Sequence, residues 1–245
     1  MRLSRIYTES ELEIGKSIDL PVATSHYISH VLRLKNSQEI ILFNGRLSFD
    51  YCSTIQISKK KVSATPTSRK PNNVESPIQT ALFQALGKQE HIDFIIQKAT
   101  ELGINEIHLF NSQRTQTHLK GNRLEKKLTH WQGIIISACE QCGRSSLPTL
   151  HFQPSLQHCL SLSAKSNKLI LDFNGESISE LSTRLKPDLT FSMLIGPEGG
   201  FSEAEIELAG KAEFLPCILG PRTLRMETAV ISIIAVVQHY FGDMQ

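Results

Sequence analysis

The pattern that most limits the fold is an alternation that begins near residue 78 and persists to the C-terminal region. Apolar runs of strand length recur at 78–86, 104–110, 150–152, 169–173, 191–195 and 215–219. Segments of helical periodicity separate most of them. In 89–102, Ile92, Ile95, Ile96, Ala99 and Leu102 share one face, and Gly103 ends the helix. Over 123–141, Leu124, Leu128, Trp131, Ile135 and Cys139 do the same. Residues 202–211 open with a capping box, Ser202 with Glu205. The last helix, 228–240, is apolar nearly all round, which predicts burial on more than one side, in a subunit interface or at the centre of a monomer. Strands alternating with helices predict an α/β fold: a mostly parallel sheet covered on both faces.

The first part of the chain reads differently. An apolar run at 39–43, then Asn44-Gly45, then a run at 47–57 carrying Phe49, Tyr51, Thr54, Ile55 and Ile57 predicts a hairpin with both turn residues at positive φ. Residues 25–34 predict a short helix with Ile28, Val31 and Leu32 on one face, and Lys59-Lys60-Lys61 begins a further polar strand or loop. The stretch Arg69-Lys70-Pro71-Asn72-Asn73-Val74-Glu75-Ser76-Pro77 is polar, holds two prolines and lacks periodicity, so it reads as a linker between domains at 1–72 and 73–245. Charge divides at the same place. Residues 1–72 hold 11 Lys/Arg against 6 Asp/Glu, and 73–245 hold 15 against 18. A basic first domain points to a polyanionic partner such as RNA. No apolar run approaches the ~20 residues of a membrane span, and Met1 to Tyr7 lacks the apolar stretch of a signal peptide. The five cysteines are scattered and odd in number, which suits a reducing compartment. A cytoplasmic protein with no membrane partner is the expectation.

Ligands of open α/β sheets sit at the carboxyl ends of strands. Two loops stand there: Gly196-Pro197-Glu198-Gly199-Gly200 after 191–195, and Gly220-Pro221-Arg222-Thr223-Leu224-Arg225-Met226-Glu227-Thr228-Ala229 after 215–219. Glycines let backbone amides approach a ligand, and prolines stiffen the loops. Neither loop has the Gly-x-Gly-x-x-Gly or the P-loop pattern, which disfavours nicotinamide dinucleotides and ATP. Cys139-Glu140-Gln141-Cys142-Gly143-Arg144 lies at the end of a helix, where Cys-x-x-Cys reads as packed thiols, while Glu140, Gln141 and Arg144 are presented to a ligand. Lys98 and Glu101 read as a surface ion pair, and Arg114 stands at a strand end. The nine histidines form no cluster of ligand spacing, so no metal is expected. A Ser-His-Asp set and a Gly-x-Ser-x-Gly elbow are lacking.

At these motifs the chain resembles the ribosomal RNA small subunit methyltransferase E family of the SPOUT superfamily. The resemblance spans nearly the whole chain. It is strongest in the two loops above, and clear in Gln97-Lys98-Ala99-Thr100-Glu101-Leu102-Gly103, Glu140-Gln141-Cys142-Gly143-Arg144, His30-Val31-Leu32-Arg33-Leu34 and Leu42-Phe43-Asn44-Gly45. His91 stands where the family usually has Arg or Lys, and Met226 where it frequently has Thr. The resemblance implies a PUA-like β-barrel domain at the N-terminus, an α/β SPOUT domain with a C-terminal trefoil knot, a homodimer, and S-adenosylmethionine held in the knot. It implies methylation of uridine N3 in 16S ribosomal RNA, on the assembled small subunit. The cofactor pocket would use Leu171, Ile195, Gly196, Pro197, Gly199, Gly200, Leu219, Gly220 and Leu224.

Uridine N3 carries a proton at neutral pH and lies on the Watson–Crick edge, so the base must be unpaired and must lose that proton. Arg225 is the candidate for stabilising charge on a uracil oxygen, and Glu198 or Glu227 for accepting the proton or orienting a water; a fixed loop contact is the competing role for both acids. Arg33, Arg114, Glu140, Gln141 and Arg144 are the candidate RNA contacts. The alternatives are a SPOUT methyltransferase acting on another RNA such as transfer RNA, and a ribosome-assembly factor without catalysis.

Overall fold

The computed structural model describes residues 3–46, 48–58, 61–115, 118–163, 167–185 and 189–244. Leu47, Lys59 and Lys60, on which part of the hairpin and polar-strand expectation rests, and Met1 and Arg2 of the N-terminal stretch lie outside them. The chain forms two compact units: Met1–Glu75 with Ile136–Leu147, and Ser76–Ile135 with Pro148–Gln245. Among the described residues no helix is long and apolar enough to cross a membrane.

The first unit contains β1 (Arg5–Tyr7), β2 (Ile18–Asp19), α1 (Val22–His26), a π-helical turn (Tyr27–Val31), β3 (Glu39–Phe43), β4 (Phe49–Ser58) and β5 (Lys61–Pro71). Its sheet has the order β1-β3-β4-β5-β2, with β1 parallel to β3 and the remaining pairs antiparallel. Alternation buries Ile40 and Leu42 of β3 with Ile55 and Val62 opposite, and Ile6, Leu20 and Ile28 complete that core. Three details depart from expectation. The hairpin forms, but of the two expected turn residues Gly45 alone takes positive φ, and Asn44 Oδ1 instead accepts from the Arg46 amide at 3.2 Å. The helix starts at Val22, and its last turn closes from the Leu32 amide to the Tyr27 carbonyl at 3.0 Å. That wider turn rotates the following residues, so Ile28 is fully buried while Val31 is 61% exposed. Arg69, Lys70 and Pro71 are strand residues paired with Tyr51, Asp50 and Phe49, not linker.

A buried polar cluster fixes the 143–145 segment in this unit. Arg5 Nη1 donates to Asp50 Oδ2 at 2.7 Å, and Arg5 Nη2 to Ser145 Oγ at 2.8 Å and to the Arg144 carbonyl at 3.1 Å. Asn72 Nδ2 donates to Asp50 Oδ1 at 3.0 Å and to the Gly143 carbonyl at 2.9 Å. Burial pushes the Asp50 carboxyl up, but the donors Arg5, Ser145 and Asn72 outweigh it and hold it below the usual carboxylate range.

The second unit runs β6 (Gln79–Ala85), α2 (Gln89–Glu101), β7 (Glu106–Phe110), the first part of α3 (Gly121–Cys142), β8 (Thr149–Gln153), α4 (Leu156–Leu162), β9 (Asn167–Glu176), α5 (Ile178–Leu181), β10 (Thr190–Ile195), α6 (Glu203–Lys211), β11 (Leu215–Cys217) and α7 (Met226–Phe241). Its sheet, ordered β11-β9-β10-β6-β7-β8, is parallel throughout. Phe83, Ala85, Ile170 and Leu194 meet Leu156 and Cys159 of α4 and Ala209 of α6 on one face. Leu82 and Met193, one residue out of step, are buried on the other, where α7 packs on β10 and on α2. Helices α4 and α5 escaped the sequence because seven and four residues are too short for a period to show; each is set by a serine N-cap, Ser155 and Ser177.

β11 creates the feature that matters most for the site. Leu215 pairs with Leu169 and Pro216 with Ile170, but Cys217 pairs with Glu176. Residues 171–175 of β9 are thus skipped and leave the sheet as a wide bulge. Gly175 is required where the bulge returns: a Cβ there would overlap the Cys217 amide nitrogen and the Pro216 carbonyl carbon.

Candidate functional site

A cavity of about 440 Å³ opens at the carboxyl ends of β9, β10 and β11, within the range of roughly 300–1,000 Å³ usual for small-molecule sites. One wall is the glycine loop after β10, with Ile195, Gly196, Pro197, Gly199 and Gly200. The β9 bulge contributes Leu171, Asp172 and Phe173. The segment after β11 contributes Ile218, Leu219, Gly220, Arg222 and Leu224. All nine residues expected at a cofactor therefore surround one cavity. Asp172, Phe173 and Ile218 escaped the sequence reading; the signal was their place at strand ends, beside Leu171 and Leu219.

The glycine loop is held from behind. The Gly200 amide donates to the Pro197 carbonyl at 2.9 Å, closing a tight turn, and Ser202 then caps α6 as its capping box predicts. The capping carboxylate, Glu205, is buried and also accepts from Ser112 Oγ at 2.8 Å and from the Gln113 amide at 2.9 Å. Beside it Arg114 Nη1 donates to the Gly199 carbonyl at 2.9 Å. One buried acid and one arginine thus tie the loop after β7 to the wall of the cavity.

The carboxylates divide. Glu198 lines the cavity, and its Oε1 accepts from the Lys88 amide at 3.0 Å and from His91 Nδ1 at 3.1 Å. Burial raises its carboxyl, but the Lys88 amide, its own amide and His91 bring it below the usual range. The carboxylate can lie there only because residue 87 is glycine: a Cβ on Gly87 would stand 2.7 Å from Glu198 Oε2 and from Met226 Cε. Glu227 lies in the first turn of α7, since that helix begins at Met226, not at residue 228. Its Oε2 is buried without a hydrogen-bond partner among the described residues.

Apolar side chains, backbone from two glycine-bearing loops and the Asp172 carboxylate suit a ligand with a flat apolar part and several polar groups, as S-adenosylmethionine has. Residues 74–238 match the model of the RNA methyltransferase domain family. A ribosomal RNA small subunit methyltransferase E from Buchnera aphidicola (subspecies Schizaphis graminum) is 35% identical, over 99% of this chain and 98% of its own. The chain belongs to the ribosomal RNA small subunit methyltransferase E family. A methyltransferase from Legionella pneumophila, solved with the cofactor SAM bound, superposes with a TM-score of 0.92 at 35% identity, covering 99% of this chain and 100% of its own. The methyltransferase E of Neisseria gonorrhoeae, solved with S-adenosyl methionine, gives 0.89 at 30% identity, with 100% of both chains covered.

The other expected site residues fall in different settings. Arg225 is exposed at the N-cap of α7 and is not on the cavity wall. Arg33 is exposed with a left-handed backbone, φ 53°. Gln141 is exposed. Arg144 is 4% exposed and spent on Glu75, with Nη2 2.7 Å and Nε 3.1 Å from its carboxylate. The guanidinium that the sequence offers to RNA is therefore an internal tie of the first unit. Glu140 accepts from the Tyr7 amide at 2.9 Å, and burial pushes its carboxyl up. Cys139 is buried and its thiol is pushed up to about 12 by desolvation, so Cys139 is a packed thiol and supplies no thiolate. Lys98 and Glu101 form the expected ion pair at 2.8 Å.

Proposed function

We propose that this chain transfers a methyl group from S-adenosylmethionine to N3 of a uridine in 16S ribosomal RNA of the small subunit. The convergence of three separate strand-end segments on one cavity, in a chain whose full-length relatives bind that cofactor, carries the proposal. The cofactor supplies a methyl group activated on a sulfonium. Leu171, Ile195, Leu219 and Leu224 would hold its flat part, and the amides of the two glycine-bearing loops its polar groups. Fixing donor and acceptor in line supplies much of the acceleration. Glu198 or Glu227 takes the N3 proton, and Arg225, from the rim, steadies charge on a uracil oxygen.

RNA contact is assigned to Arg33, Arg114 and Gln141, with Arg144 and Glu140 shaping the surface from within. Residues 1–72 are read as a PUA-like RNA-binding domain, and residues 73–245 as a SPOUT domain whose C-terminal crossing is knotted. A homodimer is proposed from the second, half-buried face of α7, which holds Ile231, Ala235 and Val236. A cytoplasmic enzyme without a metal completes the reading. The test is a methyl-transfer assay on unmodified small subunits and on naked 16S RNA, with nucleoside identification. 3-Methyluridine in the subunits is expected; a different methylated nucleoside, or no transfer to either substrate, overturns the proposal.

A further inference from the structure

Beside the glycine loop, one imidazole serves two acids. His91 Nδ1, in the first turn of α2, lies 3.1 Å from Glu198 Oε1 and 3.9 Å from Glu227 Oε2. The three side chains come from three elements and are all partly enclosed, 24%, 35% and 17% exposed. The acids are unequally served, since Glu198 has the Lys88 amide as well, whereas Glu227 Oε2 is buried with no hydrogen bond. Nδ1 carries at most one hydrogen, so it bonds to one carboxylate at a time. The same nitrogen nonetheless lies within 4 Å of both carboxylates, so one ring contacts the loop and the helix together.

We propose that His91 is a positioning residue of the methyl-transfer site, bridging Glu198 and Glu227 so that the glycine loop stays in register with the start of α7. This rests on the function proposed above. Glu198 is the only one of the three on the cavity wall, so it is the group through which His91 reaches the cofactor. Without the ring, Glu198 keeps only the Lys88 amide and its own amide as donors. Glu198 then leaves its seat over Gly87 and the loop that carries it loosens. The groups that face His91 are Glu198 from the loop after β10 and Glu227 from α7.

A double-mutant cycle on the full chain tests this, with S-adenosylmethionine affinity read by calorimetry without RNA. His91→Ala is expected to weaken binding on the order of tenfold, and to add little in a Glu198→Gln background, because the two residues act as a unit. His91→Asn places an amide nitrogen near the position of Nδ1 and is expected to restore part of the loss; it also serves if the alanine variant melts early. Equal losses in both backgrounds, or wild-type affinity in a folded His91→Ala, overturn the assignment while leaving the proposed function standing. Failure of the wild-type chain to bind the cofactor removes both.

Discussion

Two polar clusters of the molecule, one around Arg5 and Asp50 and one around His91, Glu198 and Glu227, are built to opposite ends. In the first unit Arg5 and Asp50 are 8% and 5% exposed, and Ser145, Asn72 and the Arg144 carbonyl pair their charged ends, leaving Arg5 Nε as the buried atom without a partner among the described residues. In the second unit His91, Glu198 and Glu227 sit half-enclosed at the edge of a cavity, with one carboxylate oxygen unserved. A cluster sealed from solvent, with its charges paired, specifies where a segment goes. A half-enclosed one keeps bonding capacity beside a space large enough for a ligand. Buried polar groups left unpaired are costly, so a fold retains them where something else repays the cost.

Removing one acid from each cluster separates them most sharply. Asp50→Ala strands Arg5 and is expected to cost about 3–5 kcal/mol in urea unfolding. Glu227→Gln breaks no hydrogen bond at Oε2 among the described residues and is expected to change stability by about 0.5 kcal/mol or less, while slowing methyl transfer. The same contrast has a pH signature. Asp50 titrates lower in the folded chain than the ~3.9 of an unfolded aspartate, so its contribution is complete above about pH 5 and is lost as the pH falls through the depressed value. Stability measured from pH 6 to 2 should show this acid loss in the wild type, and a shallower one in Asp50→Asn.

Gly87→Ala comes next in size. The added methyl meets a carboxylate and a methionine terminus, both able to move, so the fold survives. Glu198 is displaced, and cofactor affinity is expected to fall on the order of tenfold by calorimetry. Ser202→Ala is the mildest. It removes the cap that the Glu205 amide uses and should cost about 1 kcal/mol of stability. Because Glu205 keeps its bonds to Ser112 and Gln113, cofactor binding is expected to change little.

The sequence shows the second unit more fully than the first, and the reason is range. Strand-end loops announce themselves locally: Gly196 to Gly200 follows a run of apolar residues and precedes a capping box, so a few neighbours suffice. The pairing partners that define the clusters do not. Arg5 reaches Asp50 and Ser145 across 45 and 140 residues, and His91 reaches Glu198 across 107. Local pattern also misjudged geometry where one residue of register decides it. Asn44-Gly45 signals a turn but not that the strands pair only from Leu42 and Tyr51 outward. Val31 sits at helical spacing from Ile28, and the π turn carries it to solvent. Arg144 looks like an offered cation because Glu75, its partner, lies 69 residues away.

The skipped residues of β9 bear on how the chain comes to be assembled. Leu171 to Phe173 become a cavity floor only when β11 pairs on both sides of them, at Ile170 and again at Glu176. Contacts between such distant segments close late, after the loop entropy between them is spent. A polypeptide still growing toward residue 217 would have the glycine loop and no vessel for it to line, so capture of the methyl donor would report that β11 and the segment after it have been made and docked.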